Sequence, residues 1–406
     1  MWITLGGAAM VGVAVVNRTQ NLPPGEMLYG PLLLVAFLFG SLLLGGKRDR
    51  ILLAATYFLT TVGFVEIYRL RPDLAAKQLG WIALGVFVMA LASRLLSSYR
   101  WVERFKYLLG TSALGLLAIT IIFGREVGGA KAWLRVGSWQ FEPVEIVKVL
   151  LVLFLAGYLQ ENVLRAKAGK NRLPPSWAAW GPVLLMWGLS ILLLFLQRDL
   201  GAALLLIGIF TAMLYLATGH GLLVGASLVF SGFAAVVSSL IFPHVRTRVQ
   251  IWLNPWAQIS GGGYQIAQAL FALASGGLTG RGLAVGYPQF VPAAHTDFIF
   301  VAIAEELGLL GAVAVLCAFL FLVARGWQLA LEKEDRLGFL LVAGLVSILA
   351  IQALIIVGGT IRVIPLTGIT LPFVSYGGSS LVSNYFVIGL ICAISSLPGK
   401  VAEGIS

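Results

Sequence analysis

Asp297, in the run His295-Thr296-Asp297-Phe298, is the residue whose setting most suggests chemistry. Between Pro243 and Phe298 it is the only acid, and the same stretch carries His244, Arg246, Arg248, Arg281 and His295. An apolar run follows directly. The carboxylate therefore stands where a loop meets an apolar helix, a costly place for a charge without a partner or a task. Asp is a favoured helix N-cap, and first-turn N–H groups bonded to it would hold its pKa low. It is equally a group that takes a proton from a substrate. Spacing alone leaves cap and catalyst level. Glu145 and Lys148 lie three residues apart and so share one helix face, either as a buried ion-pair lock or as a cation facing a phosphate. Glu305 and Glu306 point about 100° apart on a helix, which predicts that they do not serve one site.

The remaining chemistry is basic. Arg125, Lys131, Arg135, Arg198, Arg246, Arg248, Arg281 and Arg362 all fall in or beside segments expected on one side of a membrane. They suit an anionic head group, with ordinary interfacial snorkelling as the alternative. The three histidines are far apart, and Cys317 and Cys392 both sit in apolar runs, so neither a zinc site nor a disulfide frame is indicated. No glycine cluster is followed by the Gly-Lys-Ser/Thr of a phosphate-binding loop.

Composition says what must position these residues. Of 406 residues 59% are hydrophobic and 11% charged, with a mean hydropathy of +0.95; soluble domains have about 45–50% and about 25%. Runs long enough to cross a bilayer predict an all-α polytopic membrane protein. They span 2–17, 28–46, 50–69, 78–96, 105–123, 143–160, 178–197, 200–218, 221–242, 298–324, 337–359 and 379–397. The first lacks a preceding basic residue and is followed by Asn17-Arg18, which favours a retained helix over a cleaved signal. Twelve spans put both termini on one side. The short loops there hold Lys47, Arg48, Arg50, Arg94, Arg100, Arg104, Lys106, Arg165, Lys167, Lys170, Arg172, Arg325, Lys333, Arg336 and Lys400, which assigns that side to the cytoplasm. The net charge of +11 is scattered rather than gathered on one stripe, so anionic lipid and not nucleic acid is the expected partner. Three substantial outer segments remain, 124–142, 243–297 and 360–378, and chemistry is expected there. Tyr264–Ser275 has the spacing of an amphipathic helix lying at the interface. No soluble domain, fixed-period repeat or transporter-like inverted repeat is visible.

Several motifs are recognisable. Asn254-Pro255-Trp256, Gly263-Tyr264-Gln265, Ser275-Gly276-Gly277-Leu278, Gly280-Arg281-Gly282, His295-Thr296-Asp297-Phe298-Ile299-Phe300 and Glu305-Glu306-Leu307-Gly308 occur in order. Pro365-Leu366-Thr367-Gly368-Ile369-Thr370-Leu371-Pro372-Phe373-Val374-Ser375-Tyr376-Gly377-Gly378-Ser379-Ser380 follows. Together they resemble the RodA/FtsW/SpoVE (SEDS) family, with weaker matches at Gly129-Ala130-Lys131-Ala132-Trp133-Leu134, Glu145-Ile146-Val147-Lys148 and Asp199-Leu200-Gly201. The resemblance covers about 50–397. It implies a ten-helix core within 47–406, containing the outer loop 243–297, with residues 1–46 as two additional helices. It further implies a peptidoglycan glycosyltransferase that joins lipid II units outside the membrane beside a class B penicillin-binding protein. Asp297 falls on the family's essential Asp, Glu145 and Lys148 on its intramembrane charged pair, and Ser375, Tyr376, Ser379 and Ser380 on its last outer loop. Arg362-Val363-Ile364-Pro365-Leu366-Thr367-Gly368 resembles elongation-type, RodA-like members more than the division type. Ala293 replaces a usual Glu, Glu142-Pro143-Val144-Glu145 a usual Gln-Pro-Ser-Glu, and Gln197-Arg198-Asp199-Leu200-Gly201-Ala202 a usual Gln-Pro-Asp-Leu-Gly-Thr. These departures bear on accessory polar contacts.

On that resemblance Asp297 would act as general base on a sugar hydroxyl. Diphosphate is a good leaving group, so no second carboxylate is required as acid. Arg125, Arg246, Arg248, Arg281 and Lys148, or a divalent cation such as Mg or Mn, would stabilise the departing charge, with Glu145, His295 and the Ser375–Ser380 loop holding substrate. The rival readings are a lipid II flippase, which needs polar residues along a path through the bilayer, and a scaffold that recruits a transpeptidase.

Overall fold

The expected runs become helices because nothing within them competes with intrahelical hydrogen bonding in an apolar setting. A computed structural model describes residues 2–398 except 22, 46–48, 128, 138 and 169–176. Lys47, Arg48, Lys170, Arg172 and Lys400, part of the expected charge bias, lie outside the described residues, as does the 46/47 boundary. Twelve long helices coincide with the twelve runs: α1 (Trp2–Gln20), α2 (Tyr29–Leu44), α3 (Arg50–Leu70), α4 (Pro72–Leu95), α5 (Trp101–Phe123), α6 (Val144–Ala168), α7 (Trp177–Leu196), α8 (Leu200–Thr218), α9 (Gly221–Ile241), α12 (Ile299–Leu331), α13 (Arg336–Thr360) and α14 (Gly378–Ser396). Among the described residues nine helices are long and apolar enough to cross a membrane. The chain is a multi-pass, all-α membrane protein. Asp49 starts α3 by accepting the Leu52 N–H at 2.8 Å, and Asp199 starts α8 by accepting that of Ala202 at 3.0 Å.

Two further helices, α10 (Pro243–Leu253) and α11 (Tyr264–Gly276), lie within the long segment between α9 and α12. The segment 124–142 folds as three short antiparallel strands, β1 (Arg125–Val127), β2 (Ala130–Val136) and β3 (Trp139–Phe141). The chain divides into two compact units. One comprises Met1–Arg94, Ser238–Arg325 and Gln352–Gly389; the other Leu95–Val237, Gly326–Ile351 and Leu390–Ser406. In the latter, Gly344 lets α13 approach Val152 of α6 and Met213 of α8, where a Cβ would come within 2.7 Å and 2.5 Å of their side chains.

The former unit holds Asp297, and its long segment between α9 and α12 has its own small core. Ile266, Ala269 and Ala272 of α11 pack with Ile251 of α10, with Val291 and Ala294, and with Phe298 and Val301 at the start of α12. The helix expected at 264–275 is present, but its apolar face is taken up by protein. Behind it α12 is broken at Gly308, where φ is +70° and ψ −169°. The free backbone groups at the break bond to the glycine-rich chain beside it: Arg281 and Gly282 N–H donate to the Glu305 and Glu306 carbonyls at 3.0 and 2.9 Å, and Leu309 N–H to Gly277 O at 3.0 Å. Only glycine permits so close an approach, since a Cβ on Gly308 would lie 2.2 Å from Gly280 N.

Candidate active site

Asp297 ends the turn that leads into α12, one residue ahead of the position that caps it. The first-turn N–H groups of Val301 and Ala302 donate to the Phe298 carbonyl, at 2.9 and 3.1 Å, rather than to the Asp297 side chain. The cap reading therefore fails. Its carboxylate is half-buried, and that burial raises its pKa from 3.8 to about 6 against the opposing pull of the Thr296 hydroxyl and the Arg248 charge. The low pKa that would follow from capping is likewise overturned. A pKa near 6 leaves the group mostly ionised near pH 7 yet basic enough to take a proton.

The long segment between α9 and α12 and the last loop, 361–377, hold this turn between them. Ser375 Oγ donates to Thr296 O at 2.6 Å and accepts the Leu371 N–H at 2.9 Å; Tyr376 N–H donates to His295 O at 2.9 Å. The rings of His295 and Tyr376 lie 6.0 Å apart. Arg248, on α10, donates through Nη1 to Thr367 O at 3.1 Å and to Leu366 O at 3.4 Å. One turn on, Trp252 Nε1 donates to Arg362 O, and the Arg362 guanidinium donates back to the Trp252 and Leu253 carbonyls at 2.8 and 2.9 Å. These bonds fix the Arg248 charge beside Asp297. The loop's far end is tied through Thr370, whose hydroxyl donates to Ser380 Oγ at 2.6 Å and whose carbonyl accepts from Gln352 at 3.0 Å.

The site residues expected from the sequence separate on this geometry. Asp297, His295, Arg248, Ser375 and Tyr376 come together, the last two largely as braces for the turn. Ser380 is buried in the Thr370 network, with Ser379 half-buried beside it. Arg246 is exposed on α10, and the exposed Arg281 guanidinium lies over the Tyr287 ring at 5.9 Å. Arg125, exposed on β1, and the buried Glu145–Lys148 ion pair belong to the other unit.

Arg69, Arg71 and Asp73 gave no signal in the sequence. Arg71 grips Asp73 with two bonds, 2.9 and 2.8 Å, and their charges act on His295 and Tyr376. Burial chiefly lowers the His295 pKa, with the Arg71 charge adding to it, so this imidazole is neutral near pH 7. Buried Arg69 pairs with Glu306 at 3.0 Å and donates to Gly286 O at 2.9 Å. Glu306 also accepts the Ala284 N–H at 2.8 Å, and Glu305 that of Tyr287 at 3.0 Å. The two adjacent glutamates thus brace one loop from different faces of α12, Glu306 through Ala284 and Arg69 and Glu305 through Tyr287. Their partners lie in distant sequence, so spacing could not show them. Among the described residues no three His, Cys, Asp or Glu side chains form a metal-binding group. A divalent cation at Asp297 would take one protein carboxylate and complete its shell from substrate phosphate and water.

A family model described as cell cycle protein, FtsW/RodA/SpoVE, matches residues 51–398. The chain belongs to this family. Its relatives include the peptidoglycan glycosyltransferase RodA of Mycobacterium tuberculosis strain H37Rv, 39% identical over 405 residues, 94% of this chain and 86% of that protein. RodA of Mycobacterium leprae is 37% identical over 97% of this chain and 89% of its own length. Among solved structures, a chain of a peptidoglycan synthase complex said to coordinate polymerization and crosslinking superposes with a TM-score of 0.72 at 30% identity, covering 86% of this chain and 97% of that one. The Thermus thermophilus rod shape determining protein RodA gives 0.61 at 28% identity, covering 86% and 96%. This family member is RodA-like.

Proposed function

We propose that this RodA-like protein is a peptidoglycan glycosyltransferase that polymerises lipid II into glycan strands on the outer face of the cytoplasmic membrane. The observation that carries the reading is a half-buried carboxylate, Asp297, with a pKa near 6 and the fixed Arg248 guanidinium beside it. Asp297 takes the proton of the acceptor sugar hydroxyl as its oxygen bonds to the donor's anomeric carbon. The bond from that carbon to the lipid diphosphate breaks, and the electron pair leaves on the diphosphate. Arg248 is placed to stabilise that charge in a site with limited water. Exposed Arg125, Arg246 and Arg281 and buried Glu145 and Lys148 remain candidates for holding lipid II, with His295, Tyr376, Ser379 and Ser380. Both termini are assigned to the cytoplasm by the basic short loops. Residues 1–46 are read as an addition to a catalytic core at 47–406. Membership of a synthase complex by a similar chain supports a class B penicillin-binding protein as partner.

The test is polymerisation of lipid II by purified protein. Wild type makes glycan polymer on a gel, and Asp297→Asn binds lipid II but loses about 10²–10⁴-fold in rate. Undiminished polymer from the variant sinks the assignment. Labelled lipid II crossing vesicle bilayers without polymer would favour transport instead.

A further inference from the structure

Gly368 lies in the last outer loop with φ at +80°, and it faces the space between the two groups assigned to the reaction. A Cβ on this residue would stand 3.8 Å from Asp297 Oδ2 and 4.0 Å from Arg248 Nη2, with no other atom among its nearest neighbours within 4 Å. The backbone thus leaves a notch with the carboxylate on one wall and the guanidinium on the other. Arg248 cannot easily turn away, because its Nη1 is bonded to the Leu366 and Thr367 carbonyls just before Gly368. The neighbouring Thr367 Oγ1 is a buried hydroxyl without a hydrogen-bond partner. A buried polar atom left so is costly unless a ligand or water completes it.

Resting on the glycosyltransferase reading, we propose that the notch over Gly368 is where acceptor hydroxyl and departing diphosphate meet, and that Gly368 is the positioning residue that keeps it open. The acceptor oxygen lies against Asp297 Oδ2, to which its proton passes. The diphosphate oxygen that receives the electron pair of the broken carbon–oxygen bond lies against Arg248 Nη2. Thr367 Oγ1 bonds to a substrate oxygen at the same place. A methyl group at 368 displaces reacting atoms from both walls, and displacement of about 1 Å is enough to cost about 100-fold in rate.

The experiment compares full-length wild type, Gly368→Ala, Gly368→Asn and Thr367→Val by steady-state polymerisation of fluorescent lipid II, with thermal unfolding in detergent as control. Asn tolerates a left-handed backbone far better than Ala but carries the same Cβ. Both Gly368 variants are expected to lose about 100-fold in kcat with KM changed less than about threefold. Their residual activity should show an acid limb displaced above that of wild type, because the added carbon excludes water from Asp297. Recovery of activity in Gly368→Asn would trace the loss to backbone strain and overturn the proposal, as would wild-type kcat in Gly368→Ala. Thr367→Val removes an unpaired hydroxyl without breaking a bond, so it folds even where the Gly368 variants do not. It is expected to lose about tenfold in kcat/KM, and unchanged kinetics overturn the inference. Wild type that makes no polymer would overturn the underlying reading, whereas active wild type with active Gly368→Ala overturns this inference alone.

Discussion

At the scale of single residues, the candidate site depends on a carboxylate whose basicity is set by opposed effects. Burial raises the Asp297 pKa to about 6, and the Thr296 hydroxyl and the Arg248 charge restrain the rise. With Asp297 as the proposed general base, which works only when ionised, kcat/KM should climb with pH and level off above about 6. Arg248→Gln removes the restraining cation, so its acid limb should move to higher pH while its plateau falls; polymerisation rates across pH 5–8, roughly the span in which such a shifted group titrates, check both. An unmoved limb would mean that the two charges do not act on each other. Stability runs the opposite way. Between about 4 and 6 the folded carboxyl keeps a proton that the unfolded chain has lost, so stability declines as pH rises through that window and the decline is absent in Asp297→Asn. Asp297 was legible in the sequence because it is the lone acid of a long outer stretch. Arg248 was not separable from Arg246 and Arg281, since spacing cannot say which guanidinium will be fixed by carbonyls 118 and 119 residues away.

At the scale of elements, the helices could be read directly, because a bilayer demands long uncharged runs and leaves few alternatives. The three strands of 124–142 could not, since pieces of three to seven residues carry little periodicity. The break in α12 was equally hidden: glycine clusters announced turning backbone, but not that Gly308 would open a helix and exchange bonds with the loop at Gly277–Gly282. Gly308→Ala would place a methyl 2.2 Å from Gly280 N at a φ of +70°. It should cost at least about 2 kcal/mol and lower the melting temperature in detergent. Ser375→Ala acts more locally. It leaves Thr296 O and Leu371 N–H without their hydroxyl partner, which should cost about 1–3 kcal/mol and lower kcat more than it raises KM, since the turn carrying Asp297 loosens.

At the scale of the molecule, the open question is whether α1 and α2 are passengers. The family model begins at residue 51, yet these helices are bonded into the end of α3 that carries Arg69 and Arg71. Tyr68, fully buried on α3, donates to Glu26 Oε2 at 2.8 Å and also to Asn17 Oδ1, and Gln20 donates to the Arg69 carbonyl at 3.1 Å. Deeper in the packing, Phe37 of α2 stacks on Tyr57 of α3 at 4.1 Å. Arg69 in turn holds Glu306 and Gly286, and with them the loop that wraps the break in α12. This polar chain, assembled from residues up to 237 positions apart, had no signature in the linear order. Because an N-terminal pair supports the anchor of the loop that wraps the break in α12, its removal should reach the candidate site at Asp297 through α3. Tyr68→Phe should cost about 1–3 kcal/mol, as Glu26 and Asn17 lose their donor. A protein lacking residues 1–46 should unfold at a clearly lower temperature and polymerise lipid II more slowly, the deficit growing with temperature. A truncated protein that melts and polymerises as wild type does would make the two helices a separable appendage, and the bonds to Tyr68 and Arg69 energetically idle.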